Sequence, residues 1–159
     1  MKPLAWLALW LGAASPWFRQ PALAWRMGGL AMIAHVAWAF AEIHGWSHAS
    51  AVRATARQVE AVIGRKSGGG IWANYVFVVA WIAASGSWPR LGAPWRRLWW
   101  AVFLFMGFNG AVIFVHGTAR WLGIAWTTVA IVALVRSWTP TPRNDAGWAL
   151  SNGPGLNPP

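Results

Sequence analysis

Residues 98–138 read LWWAVFLFMGFNGAVIFVHGTARWLGIAWTTVAIVALVRSW, and the only charged side chains among them are Arg120 and Arg136. A helix needs about 20 predominantly apolar residues to cross a hydrocarbon core of about 30 Å. The stretch holds two such runs, 98–117 and 121–138, separated only around Gly117, Thr118 and Ala119. So short a connection allows a tight reversal, and the two runs are expected to pack as an antiparallel helical hairpin.

Working outward, windows 27–45 and 71–88 have the same character, and basic residues stand between the windows. Pro89 and Pro94 end the third window and separate it from the fourth, because proline cannot continue a helix interior. The fold expected is therefore an all-α, polytopic transmembrane bundle with spans at 27–45, 71–88, 98–117 and 121–138. Residues 1–138 form its single membrane-embedded domain. Composition agrees: 57% of the chain is hydrophobic and 10% charged, against about 25% charged in a soluble domain. A charge at mid-bilayer costs at least about 2.5 to 3.5 kcal/mol, which explains why the arginines fall at the ends of apolar runs.

The apolar window 4–18 is short for a span, and Pro16 and Pro21 interrupt its exit. Three readings remain open for it: a short or tilted fifth span, an interfacial anchor, or a signal peptide with a basic start at Lys2 and small residues around Ala22 and Ala24. Between the second and third windows, Val52, Thr55, Ala56, Val59 and Ile63 share one helical face, while Arg53, Arg57 and Glu60 share another. This predicts an amphipathic helix over 47–63 lying on the membrane surface. Gly64 and the run Gly68-Gly69-Gly70 then let the chain turn back. That run lacks the lysine-serine ending of a phosphate-binding loop. Residues 139–159 mix proline, glycine and asparagine without periodicity and are expected to be a disordered tail. No internal repeat of useful strength is visible.

Sixteen tryptophans are the most unusual count. Trp25 and Trp46 bracket one window, Trp72 and Trp88 the next, Trp99 or Trp100 and Trp121 the fourth, Trp121 and Trp138 the last. At about 1.5 Å per residue these separations are roughly 24 to 33 Å, which suggests an aromatic belt at the two headgroup boundaries. The net charge of +10 could serve nucleic acid, but lysine and arginine flank spans instead of gathering on one face, so the partner expected is the lipid bilayer and no nucleic acid. The absence of cysteine removes disulfides, thiolate metal sites and cysteine nucleophiles together.

With four spans, eight basic residues fall on the side of the termini and five (Arg53, Arg57, Arg65, Lys66 and Arg120) on the other. This favours a cytoplasmic C-terminus in a cell inner membrane. If window 4–18 also spans, six face seven and the count decides nothing. In either case the second and fourth windows run in the same direction, so His44, His48, His116 and Arg120 should emerge on one side, with Asn74 and Tyr75 nearby.

His44 and His48 are spaced i and i+4 and share a face if the helix continues past Gly45. With His116 they form a candidate nitrogen-ligand set for a metal ion or a haem. The plain alternative is that headgroups and water satisfy these rings. His35 falls mid-span, where an ionisable group is a functional candidate by default. Glu42 lies on its face, and Asn109 at mid-depth of the fourth window could serve as its structural partner. Gly28, Gly29, Gly107, Gly110 and Ala111 allow close helix contact within the bundle, with a second copy, or with another membrane subunit. With Glu42, Glu60 and Asp145 the only acids, paired-carboxylate catalysis is nearly excluded. Three functions stand as expectations: a non-catalytic accessory or assembly subunit; a metal- or haem-binding redox protein using His44, His48, His116 and His35; and a small transporter built around His35, Glu42 and Asn109.

Overall fold

A computed structural model of the protein describes residues 2–87 and 91–138, with the backbone alone for Lys2, Ser137 and Trp138. Among the described residues all regular structure is helical. Six helices follow in order: α1 (Lys2–Ala14), α2 (Pro21–Trp38), α3 (His48–Ile63), α4 (Gly70–Ser87), α5 (Ala93–Phe108) and α6 (Ala119–Trp138). The expected tail at 139–159, together with Trp88, Pro89 and Arg90, lies outside the described residues.

Three helices are long and apolar enough to cross a membrane: Pro21–Ile43, Gly70–Ser87 and Ala119–Arg136. The fourth expected span differs. Its α-helix begins earlier, at Ala93 with Pro94 in the first turn, and runs only 16 residues before the hydrogen-bond pattern changes. α2 also starts earlier than expected, because Pro21 opens the helix. The missing N–H of a first-turn proline is one that no helix could satisfy there.

Both α2 and α5 end in a five-residue π turn, Ala39–Ile43 and Asn109–Ile113. His44 N–H donates to the Ala39 carbonyl at 3.2 Å, and Phe114 N–H to the Asn109 carbonyl at 3.0 Å. A glycine with positive φ follows each turn: Gly45 at 54° and Gly117 at 71°. Trp-Arg pairs at 25–26 and 95–96 precede the turns by the same interval. The two helices are thus built alike, a partial correspondence too weak in residue identity to stand out as a sequence repeat.

Interhelical contact rests on small residues. A Cβ on Gly28 would lie 3.0 Å from the Ala8 carbonyl oxygen, one on Gly107 would strike the Trp126 ring, and one on Gly123 would strike the Ala111 carbonyl. Backbones this close are the usual means of packing in lipid, where tails compete with any apolar side chain. α1 packs against α2 and α6, and α5 pairs with α6 as the expected antiparallel hairpin. α1 contributes the buried Ala8, Leu9 and Ala13 to the core. At about 1.5 Å per residue its 13 residues reach only about 20 Å.

The centre of the bundle is aromatic. Trp25 lies 5.3 Å from Trp81, 5.5 Å from Trp100 and 5.1 Å from Phe103 by ring centroids, and Phe103 lies 5.5 Å from Trp126. Indole N–H groups find backbone acceptors: Trp81 donates to the Trp25 carbonyl at 3.2 Å and Trp126 to the Leu9 carbonyl at 2.8 Å. The tryptophan belt therefore needs correction. Trp25 and Trp100, taken from spacing as boundary residues, are 1% and 2% exposed and belong to the core, whereas Trp46, Trp72 and Trp121 are 70%, 60% and 72% exposed.

A candidate ligand cavity beneath the amphipathic helix

The turn after α2 decides where the candidate histidines go. Gly45 and Trp46 both take left-handed backbone angles, φ 54° and 57°, so the helix does not continue past Gly45. His44 ends one element and His48 opens another, which removes the shared helix face expected for the pair. Ser47 then caps α3 by accepting from Ser50 N–H at 3.2 Å, a side-chain acceptor for an otherwise orphaned donor. α3 turns Ala51 and Ala56 inward and leaves Arg53, Arg57 and Glu60 exposed. Ile63, assigned to the apolar face from its spacing, is 62% exposed at the end of the helix.

The glycine run after α3 works by close approach. Positive φ occurs at Gly64, which ends α3, but not at Gly68, Gly69 or Gly70. A Cβ on Gly68 would meet the Val52 side chain and lie 3.0 Å from its carbonyl oxygen, and one on Gly70 would lie 3.3 Å from the Thr55 methyl. The run lets the chain fold tightly against α3 before α4 begins.

Beneath α3 lies a partly open cavity in two lobes of about 430 and 460 Å³ that share lining residues. Ala5 and Leu9 of α1, His35 of α2, Thr55 and Gln58 of α3, Asn74 of α4, Met106 of α5 and Gly110 of the second π turn line both lobes. One lobe extends to Phe40, His44 and Tyr75; the other extends to Asn109, Phe114 and Ala119. Both π turns thus border the space, and π turns within helices recur at functional sites. No Asp, Glu, Lys or Arg appears in either lining.

Of the residues singled out from the sequence, His35, His44, Asn74 and Asn109 come together around this cavity. Asn109 donates to the Phe105 carbonyl of its own helix at 2.7 Å. His44 Nδ1 is buried and has no hydrogen-bond partner among the described residues. Its ring packs edge-on to Phe40 at 5.6 Å. Glu42 is exposed and outside the lining. His48 stands at the rim, its Nδ1 3.0 Å from the Tyr75 hydroxyl and its ring 5.3 Å from Trp72. His116 is exposed and outside the lining. Arg120 donates from Nε to the Val112 carbonyl at 3.0 Å, satisfying an acceptor in the second π turn. Among the described residues no three of His, Cys, Asp and Glu are grouped to hold a metal ion. Tyr75, expected near the histidines from the run of the helices, also lines the cavity; Thr55 and Gln58 are lining residues without a site signal in the sequence, although Thr55 lies on the inward face of the amphipathic pattern.

Fold and cavity together define a class: an all-helical bundle with three helices able to cross a membrane, surrounding an uncharged cavity. Compared with protein families, with characterised proteins and with solved structures, the chain matches none.

Proposed function

We propose that this is a four-span integral membrane protein that binds a small molecule in the cavity beneath α3. In this reading α2, α4, α5 and α6 cross the bilayer, α1 is a retained intramembrane helix, and α3 lies at the surface. The sixteen α-helical residues of α5 and the five of its π turn together reach about 30 Å, which supports the fourth crossing. The buried Ala8, Leu9 and Ala13 of α1, and the bond from Trp126 to Leu9, favour an integral part of the bundle over a cleaved signal.

The observation that carries the reading is the cavity itself. Its size falls in the roughly 300 to 1,000 Å³ range of small-molecule sites, and apolar walls with a few convergent polar groups are their usual make-up. Of the three expected functions this stands nearest the small transporter, with Glu42 removed from the site and Asn74 and Tyr75 added.

Gly110 offers the test. It lines both lobes, and a Cβ there meets nothing within 4 Å, so Gly110→Phe fills the cavity without a clash at its base. The protein extracted with its surrounding lipid and analysed by native mass spectrometry should retain a non-protein molecule that the Gly110→Phe protein lacks. Equal retention by both, or none by either, would rule the proposal out.

A further inference from the structure

Building on the proposed binding role, we infer that the ligand is an uncharged amphiphile drawn from the bilayer, with a hydroxyl or carbonyl head at His44 and an apolar body directed towards α1. The lining contains no formal charge, and an ionised group taken from water into such surroundings without a counter-charge is strongly disfavoured. Anionic and cationic ligands are both selected against, despite the net charge of +10, because the arginines of α3 face away from the space.

The polar end is set by His44. Its Nδ1 is buried and lacks a hydrogen-bond partner among the described residues, yet its residue lines the cavity. A buried polar atom of this kind is costly unless a partner reaches it. With the ring turned about χ2 to bring that nitrogen to the cavity, a ligand hydroxyl would donate to Nδ1 in one tautomer, and a ligand carbonyl would accept from it in the other. Tyr75 and Asn74 line the same lobe and offer additional donors and acceptors to the same head.

The apolar end follows from the remaining wall. Leu9, Met32, Val78 and Met106 supply apolar surface, and the unbranched methionines adapt readily to irregular shapes. His44 follows the π turn that ends α2, while His35 lies nine positions earlier, roughly 13 to 14 Å away by helical rise. A molecule with its head at His44 and its body beside His35 therefore lies along α2, as a lipid-derived amphiphile would.

Three ten-carbon probes separate the possibilities: decan-1-ol, decyl sulfate and decyltrimethylammonium, titrated calorimetrically into the full chain in nanodiscs, with protein-free nanodiscs subtracted. The expected result is saturable binding of decan-1-ol at least tenfold tighter than either charged probe. His44→Phe, which keeps an aromatic ring beside Phe40, should weaken decan-1-ol about five- to tenfold relative to decane, the loss expected for one hydrogen bond. Tighter binding of a charged probe would overturn the ligand class, as would no saturable binding of decan-1-ol, or binding indifferent to His44→Phe. A molecule still retained in the native mass spectrum in any of those cases would leave the binding role standing and only its ligand class wrong.

Discussion

Gly107 and Gly110 lie less than one turn apart on the helix that ends in the second π turn, yet they meet opposite surroundings. A Cβ on Gly107 would enter the space of the Trp126 ring, whereas one on Gly110 would meet nothing within 4 Å. Overpacking a close contact costs about 1 to 3 kcal/mol. Gly107→Ala should therefore lower the melting temperature of the purified protein clearly, while Gly110→Ala leaves it unchanged or slightly raised through better helix propensity. Equal melting curves for the two variants would contradict the assigned helix contact. Trp126 offers a second test at this scale. Trp126→Phe keeps an aromatic ring against Phe103 but removes the donor to the Leu9 carbonyl, at a cost of about 0.5 to 1.5 kcal/mol. Because that bond joins α6 to α1, amide hydrogen exchange should quicken in α1 and stay unchanged in α4; uniform acceleration across the bundle would point to general loosening instead. Neither partner was legible from sequence. Glycines could be seen as sites of close approach, but which residue each faces depends on how the helices rotate, and neighbouring residues alone do not specify that.

Element boundaries were legible where a helix is punctuated by strong backbone chemistry, and illegible where two weak signals competed. α4 runs Gly70–Ser87 and α6 Ala119–Trp138, each within a residue or two of its expected limits, because glycine-rich or tight connections leave little choice. α2 begins ahead of its expected start at residue 27 because Arg26 lies inside the helix instead of marking its edge, and Pro21 at the first helical position is a start as well as an interruption of the preceding window. The separation of His44 from His48 depended on a turn with left-handed angles at both Gly45 and Trp46; Gly45 was visible, but a tryptophan in that conformation is rare. α3 itself was legible from its amphipathic period, and the reason it stays seated was not. Gly68 allows the chain to pass against the Val52 backbone, so Gly68→Ala should lift the connection away from α3. Trypsin applied to reconstituted protein should then cut faster after Arg53 and Arg57, which are exposed but protected by the helical backbone. Cleavage unchanged from the parent protein would show that the contact does not hold the helix in place.

At the scale of the whole molecule, lipid and core are both apolar, so a spanning helix carries hydrophobic residues around its whole circumference and the usual one-sided pattern disappears. This is why the helical class could be read from the sequence while the membership of its core could not. Trp25 and Trp100 fit a belt by spacing but are central, and the cavity, assembled from all six helices and both π turns, has no contiguous signature. Topology, by contrast, is open to a direct test, because the chain contains no cysteine and a single introduced thiol reports one position without background. Ser67 precedes α4, Gly86 lies near its end, and Thr118 immediately precedes α6; all three are exposed. If α4, α5 and α6 cross in succession, Ser67→Cys and Thr118→Cys should react with a membrane-impermeant maleimide from one side of sealed vesicles, and Gly86→Cys only from the other. The comparison of Gly86 with Thr118 isolates α5, the one proposed span whose α-helical part is short. Labelling of both from the same side would mean that α5 does not cross, and the cavity bordered by its π turn would then have to be reconsidered as a surface cleft.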